Sequence, residues 1–127
     1  ITVFGFGHSV TIPRDPQSGQ PTGQRVHQPL RIFKAFDNSS PLLYQALVTG
    51  EILSKVVIKF WRTNTQGQLE HYHTIELEDA IIVDMTAAAG ADGNGTREVV
   101  SYTYRRITWT MESAGTSSSD DWRVPKT

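Results

Sequence analysis

Apolar and polar residues alternate with a period of two over most of the chain. Residues 1–12 alternate in this way and end at Pro13, and residues 30–36 alternate again. Between them, residues 13–29 are rich in proline and glycine and are too interrupted for a strand. We therefore predict strands at 1–12 and 30–36, joined by a long ordered loop.

A different pattern follows, with the start and stop signals of a short helix. Ser39 or Ser40 is suited to the N-cap, and Pro41 fits the first turn, where its missing N–H is not needed. Gly50 can adopt the positive φ that commonly ends a helix. We predict one short helix over about residues 40–49, with an apolar face that covers the end or flank of a sheet.

The middle of the chain predicts an antiparallel hairpin. Ser54–Arg62 and Leu69–Leu77 have the composition of strands, and Gly67 lies in their connection, where a left-handed turn residue is needed. Ala80–Met85 predicts a further strand, whereas Thr86–Thr96 is small and rich in turn residues. We expect this last segment to be a mobile loop.

A change of parity near the C-terminus predicts an irregular strand. Tyr102 and Tyr104 share one parity, whereas Ile107 and Trp109 share the other. One extra residue at Arg105–Arg106 would return both pairs to the same face of a strand, so we predict a β-bulge there.

The order of these elements predicts a mainly β fold. The polar segment Ala114–Asp121 is predicted to be a loop, after which Trp122 is expected to dock against the domain. About six strands at hairpin spacing, one helix and no β–α–β alternation favour an antiparallel β-barrel or sandwich. The pattern contains no repeat and no domain boundary, so we expect a single domain over residues 1–127.

Composition narrows the classes of function. The chain has 127 residues, of which 38% are hydrophobic and 20% are charged, and its formal net charge is -1. This charge gives no electrostatic reason to expect a nucleic-acid partner or membrane insertion. The apolar runs are far shorter than a membrane span, and the N-terminus shows no signal peptide. Because cysteine is absent from the sequence, a metal would need His, Asp or Glu ligands.

Two histidines one residue apart are the strongest candidates for a metal site. In a strand, His71 and His73 would project from one face, close enough for both to bind one ion. With Glu78 they match part of the first metal-binding box of the cupin family, so a cupin-like metal enzyme is the alternative function. The glycine spacing of that box and a downstream third histidine are missing. The pair equally fits a half-buried strand at a subunit contact, where imidazole protonation at about pH 6 would weaken assembly.

The remaining motifs do not predict a catalytic site. The serines are not set in Gly-x-Ser-x-Gly and are not tied by spacing to a histidine and an acid. Gly5–Gly7 and Gly93–Gly95 lack the lysine and the strand-to-helix context of a phosphate-binding loop. We therefore predict that the chain has no catalytic, cofactor-binding or metal-binding residues and no cofactor.

Tryptophans and paired carboxylates are further candidates for a binding site. The chain has three tryptophans, Trp61, Trp109 and Trp122, which could stack against a sugar if their rings were exposed. We expect that at least two of the three pack in the domain instead. The carboxylate pairs are expected to face solvent without raised pKa values. These pairs are Glu76 with Glu78 and Asp120 with Asp121.

Segments without catalytic motifs occur along the chain in the order found in a known family. They cover nearly its whole length: His8–Val10 with Ile12–Pro13, Thr22–Pro29, Ser40–Leu47 with Gly50–Glu51, Lys59–Arg62, Glu70–His73, Leu77 with Ala80–Asp84, Tyr104–Trp109 and Ala114–Arg123. In this order they resemble the haemolysin-coregulated protein (Hcp) family of the bacterial type VI secretion system.

The resemblance implies a tight β-barrel of two sheets with one flanking helix, and a structural rather than enzymatic role. Proteins of this kind form homohexameric rings that stack into the inner tube of a contractile injection machine. The implied partners are further copies of the chain, the sheath and spike components, and effector proteins sheltered in the lumen. The implied location is the cytoplasm before firing, followed by export through the machine itself.

Two departures from the family's pattern bear on the tube. Members usually carry a segment ahead of the strand that starts here at Ile1, which contributes a strand and a projecting loop to ring stacking. We expect that this N-terminal segment is missing here. The loop Thr86–Thr96 is shorter and blander than its counterparts. Because the chain ends soon after Trp122, we expect a plain tube subunit without a C-terminal toxin domain.

Overall fold

The computed structural model describes residues 1–90 and 95–121. These residues form strands and a helix in the following order: β1 (Gly5–Gly7), β2 (Val10–Thr11), β3 (Val26–His27), β4 (Leu30–Lys34), α1 (Ser40–Thr49), β5 (Leu53–Thr63), β6 (Leu69–Ala89), β7 (Thr96–Thr103), β8 (Arg106–Met111) and β9 (Thr116–Asp121). All pairings between these strands are antiparallel. The predicted fold class is confirmed, since the described chain is mainly β and antiparallel with a short α-helix.

The chain divides into two compact units. Unit 1 contains Ile1–Ile52 and Ile81–Thr103, and unit 2 contains Leu53–Ala80 and the described chain from residue 104 to 121. Strand β6 is continuous and contributes its first half to unit 2 and its second half to unit 1. The expectation of a single domain over residues 1–127 stays a prediction.

The main sheet of unit 1 has the strand order β1–β4–β7–β6. Strand β4 alternates as its sequence predicts, so Leu30 and Lys34 are buried whereas Arg31 is exposed on the opposite face. Ile32, which shares the buried face, pairs with the fully buried Val100 of β7. The core of unit 1 therefore includes this face of β4 and its partner residues on β7.

The first predicted strand is divided in two. Gly5–Gly7 forms β1 and pairs with β4, whereas Val10–Thr11 forms β2 and pairs with β3 in a separate ribbon. The single strand predicted over 1–12 is therefore wrong. Alternation could not reveal this change of partner, because both short strands keep a period of two.

Helix α1 begins and ends where the sequence predicts. Ser39 is the N-cap, although its side chain makes no capping hydrogen bond, and Pro41 lies in the first turn. Gly50 has a φ of 66°, and its backbone N–H donates hydrogen bonds to carbonyl oxygens of the last turn. Ala46 is buried, so the helix contributes at least one side chain to the interior.

Unit 2 contains the predicted hairpin of β5 and β6, with β8 and β9 beyond β6. Asn64 closes the turn, since its side-chain oxygen accepts hydrogen bonds from the backbone N–H groups of Gln66 and Gln68 at 3.0 and 2.9 Å. Gly67 has a φ of 78°, which confirms the left-handed turn residue predicted there. Buried apolar residues of this unit include Ile75 and Leu77 on β6, Ile107 on β8, and Tyr104 just before β8.

Three segments predicted as loops contain strand residues, and the first of them, residues 13–29, includes β3. The strand predicted at Ala80–Met85 is part of β6, which continues to Ala89, so the predicted loop Thr86–Thr96 begins too early. The centre of that loop lies outside the described residues. Thr116–Asp121 forms β9 and pairs with β8, so the loop predicted at Ala114–Asp121 is largely wrong. The side chains of β9 are polar and do not alternate, so this strand is held in place by backbone pairing with β8.

The contacts at Glu78 agree with the β-bulge predicted at Arg105–Arg106. Glu78 pairs with Arg106, the first residue of β8, and its carbonyl oxygen also accepts the backbone N–H of Arg105 at 3.0 Å. Two consecutive residues therefore face one residue of β6, which is the pattern of a bulge. Tyr102, Tyr104 and Ile107 are all buried, as the prediction requires.

Strand β6 also has irregularities of its own. The register with β5 shifts between His71 and His73, which makes Tyr72 the extra residue, and the register with β7 shifts at Val83. Asp79 follows Glu78 within β6 and has a φ of 51°, a conformation uncommon for a residue other than glycine. These bulges interrupt the alternation that sequence reasoning assumed for the histidine pair.

Candidate functional site

His71 is oriented by a chain of hydrogen bonds in unit 2. Its Nε2 lies 2.7 Å from Thr74 Oγ1, and that hydroxyl donates to Glu112 Oε1 at 2.9 Å. Because the single hydroxyl proton goes to the carboxylate, Nε2 must be the donor in the other bond. The imidazole also stacks on the Trp61 indole, with ring centroids 5.0 Å apart and an interplanar angle of 30°. His71 therefore serves as a packing partner of an exposed tryptophan.

The other two candidate metal ligands have different surroundings. His73 packs at a tilt against Phe60, with ring centroids 5.4 Å apart, and its buried Nδ1 has no hydrogen-bond partner. Glu78 forms an ion pair with Arg105 at 3.1 Å. Among the described residues, no group of three or more His, Asp or Glu side chains could hold a metal ion. The structure therefore does not bring His71, His73 and Glu78 together as the cupin-like alternative requires.

Arg105 joins three carboxylates at the bend between β7 and β8. Its Nε donates to Asp79 Oδ2 at 2.8 Å, its Nη1 to Asp121 Oδ2 at 2.8 Å and its Nη2 to Glu78 Oε2 at 3.1 Å. The bond to Asp79, followed by that to Asp121, raises the pKa of Arg105. Glu78 and Asp121 were expected to face solvent, but both are half-buried in this cluster. We call these four residues the Arg105 cluster.

A buried ion pair links β4 and β7 in unit 1. Lys34 Nζ lies 2.6 Å from Glu98 Oε1, and the two side chains are 0% and 1% exposed. The ammonium also donates to Ser40 Oγ at 3.0 Å, and the Ser40 hydroxyl donates to the same Glu98 oxygen at 2.6 Å. Asp37 lies 3.2 Å from Lys34 Nζ at the start of the helical segment. We call these four residues the Lys34 network.

The Lys34 network keeps its lysine charged despite burial. Burial is the largest single effect and lowers the pKa of Lys34, but the hydrogen bonds and charges of Glu98 and Asp37 together outweigh it and raise that pKa. The hydrogen bond from Ser39, followed by the effect of Lys34, lowers the pKa of Asp37 to about 2. Sequence reasoning missed this network, although Lys34 and Glu98 occupy the buried parity of their strands.

Large apolar side chains remain exposed in both units. On α1, Leu42 and Val48 are 72% and 76% exposed, and we call this pair the helix surface. On the β5–β6 hairpin of unit 2, Trp61 is 52% exposed, so its prediction as a packing residue holds for one ring face at most. Trp109 is half-buried, and Trp122 lies outside the described residues. Further exposed apolar residues of the two units are Phe4, Phe6, Val10, Ile12, Val26, Val57 and Leu69.

Exposed apolar surface of this extent is typical of proteins that bind other proteins. The chain has little net charge, so contact by shape and apolar area is the available mode of association. No helix among the described residues has the length and apolar character needed to cross a membrane. The exposed apolar residues thus indicate a β-rich domain that binds other proteins.

A comparison with known families identifies this domain. The family model described as "Type VI secretion system effector, Hcp" matches residues 1–111. The chain therefore belongs to the Hcp family of type VI secretion proteins. This confirms the resemblance inferred from the ordered segments of the sequence.

Individual relatives agree with the family match. The chain is 56% identical over 131 residues to the "Major exported protein" of Pseudomonas aeruginosa, with 98% of this chain and 76% of that protein covered. A crystal structure of an Hcp protein is 45% identical with a TM-score of 0.91, covering 94% of this chain and 76% of that chain. The secreted protein Hcp3 from Pseudomonas aeruginosa is 49% identical with a TM-score of 0.80, covering 97% and 76% respectively.

Proposed function

We propose that this protein is a structural subunit of the type VI secretion tube, in which homohexameric rings stack and are exported. Membership of the Hcp family supports a role in this machine. The exposed helix surface of Leu42 and Val48 is the observation that carries the assembly step, because a free monomer gains nothing from two such side chains in water. The name of the Pseudomonas relative supports export.

A closed ring imposes a specific kind of interface. Each subunit must present two different surfaces that fit head to tail, so that rotation about one axis returns to the first copy. The chain offers separate apolar surfaces, including the helix surface in unit 1 and the exposed hairpin around Trp61 in unit 2. Because the formal net charge is -1, copies of the chain repel one another little when they assemble.

The tube role assigns no catalytic step to this chain. The family match names a secretion protein. His71 bonds to Thr74, His73 packs against Phe60 and Glu78 pairs with Arg105. The partners of the proposed subunit are further copies of itself, the sheath and spike components, and effector proteins carried in the lumen. The protein waits in the cytoplasm and leaves the cell through the machine.

The helix surface provides the direct test of assembly. We expect Leu42→Glu with Val48→Glu to reduce ring formation by at least about tenfold, since each charge would have to be desolvated at the contact. Gln17→Glu adds a charge at an exposed polar position in the loop at 13–29, away from α1, and should assemble as the wild type does. Sedimentation velocity over a concentration series distinguishes these outcomes. Equal assembly of the double variant and the wild type would exclude the helix surface as the contact.

A further inference from the structure

A groove lies beside strand β1 in unit 1. It has a volume of about 390 Å³ and is lined by residues that include Gly7, His8, Ser9, Gln28, Arg31 and Phe33. The sequence explains why this space is open, because Gly5 and Gly7 pair directly with Phe33 and Arg31 and contribute no side chains beside them.

Phe33 forms a fixed apolar wall of the groove. A Cβ added at Gly5 would lie 2.8 Å from Phe33 Cδ2, so the phenyl ring rests against the glycine backbone. The guanidinium carbon of Arg97 lies 4.9 Å from the centroid of the same ring. The ring is thus held between β1 and β7, with an exposed cation beside it.

The polar groups of the groove carry positive charge or donate hydrogen bonds. Arg31 is exposed, and no carboxylate in the described part of the chain lines the groove or pairs with this guanidinium. Gln28 offers an amide and His8 an imidazole. Burial, and then the nearby His27, whose ring centroid is 6.4 Å away, lowers the pKa of His8. A bound anion would favour the charged imidazole and so raise that pKa.

We propose that this groove binds a small organic anion, whose carboxylate or phosphate group pairs with Arg31 and whose flat apolar part rests on Phe33. A guanidinium accepts either anionic group in a bidentate geometry. The amide of Gln28 can add a hydrogen bond to one of the remaining oxygens. The site uses unit 1 alone and does not depend on ring formation, so its failure would leave the proposed tube role untouched.

Binding is measured on the full chain with phenyl phosphate and benzoate as probes. We expect dissociation constants in about the millimolar range. They are measured from the shifts of the Gly5 and Gly7 amide signals in NMR titrations. Inorganic phosphate lacks the apolar part and benzyl alcohol lacks the charge, so both should bind at least about tenfold more weakly. The tighter of the two probes assigns the preferred anionic group, and the pKa of His8 should rise in its presence.

Two variants separate charge from shape. Arg31→Gln should weaken binding by at least about tenfold, whereas Arg14→Gln removes an equal charge from the loop at 13–29 and should have no effect. Gly7→Val fills part of the groove without removing charge, and its Cβ meets no atom within 4 Å. Gly7→Val should also abolish binding.

Several results would overturn the proposal. Equal binding by Arg31→Gln and Arg14→Gln would show general attraction of anions to the chain. Unchanged binding by Gly7→Val would place the ligand elsewhere, and this variant carries the test alone if Arg31→Gln fails to fold. Absence of any shift at about 10 mM probe would show that the groove is not a binding site.

Discussion

Units 1 and 2 each contain a cluster in which one cation meets several oxygen atoms of carboxylates, but the surroundings of the two clusters differ. The Lys34 network is sealed from solvent at its ion pair, where both side chains are at most 1% exposed. The Arg105 cluster uses more carboxylates, yet its arginine is 28% exposed and Asp79 is 51% exposed. The Arg105 cluster therefore has more ion pairs, but each of them is more exposed to solvent and so weaker.

Burial decides the difference between the two clusters. A buried charge that loses its partner keeps its full desolvation cost, whereas an exposed charge regains water. Salt also screens exposed pairs and leaves buried ones largely unaffected. The comparison predicts that one contact in the Lys34 network matters more to folding than the three ion pairs of Arg105.

The largest expected effect follows from Glu98→Ala. This change leaves the Lys34 ammonium buried without its closest partner, so the free energy of unfolding should fall by about 3–5 kcal/mol. Urea denaturation followed by far-UV circular dichroism measures the change. The double variant Lys34→Met with Glu98→Leu removes both charges and should recover most of the loss. A loss below about 1 kcal/mol for Glu98→Ala would contradict the role of burial.

Arg105→Ala should have a smaller effect. Its ion pairs are partly exposed, so we expect a loss of about 1 kcal/mol, reduced further at high salt. Arg105→Lys keeps the charge but cannot reach three carboxylates in the same fork geometry. Its free energy of unfolding should therefore lie between those of Arg105→Ala and the wild type. The same urea titration, repeated at low and high ionic strength, provides the measurement. A loss as large as that for Glu98→Ala would contradict the claim that burial makes the Lys34 network the stronger of the two clusters.

The smallest effect concerns pH. The pKa of Asp37 is lowered from 3.8 to about 2 in the folded protein, so the stabilising contribution of its carboxylate is complete above pH 3.8. That contribution is lost as the pH falls from 3.8 through about 2, because the unfolded chain takes up the proton first. Asp37→Asn should flatten this part of the stability curve, as measured by thermal unfolding across the acid range. An unchanged acid limb in this variant would assign the dependence to other carboxylates.

The parts of the fold that local chemistry decides could be predicted from the sequence. Helix α1 has its proline and its C-terminal Gly50 in sequence, and the β5–β6 turn has Gly67 where a left-handed residue is needed. Strand β9 could not be predicted, because its Ser-rich sequence becomes a strand only through pairing with β8. The change of parity near Arg105 indicated a bulge, and two consecutive residues do face Glu78 there.

The functional surface could be predicted less well than the fold. Residue type shows that a side chain is apolar but not whether it is exposed. Val48 is exposed and Ala46 is buried, although they lie two positions apart on the same helix. The spacing of His71 and His73 suited a metal ion, yet the bulge at Tyr72 and the bond to Thr74 give these imidazoles other surroundings. Lys34 shows the converse, since its charge conceals a core position that its parity indicates.

The central claim is that this chain is a ring-forming subunit of the type VI secretion tube. Native mass spectrometry of the full chain over a rising concentration series tests it most directly, with negative-stain microscopy of the same samples. The account predicts a dominant hexameric mass and ring-shaped particles that stack as the concentration increases. A monomeric mass at every concentration, with no rings in the images, would contradict it.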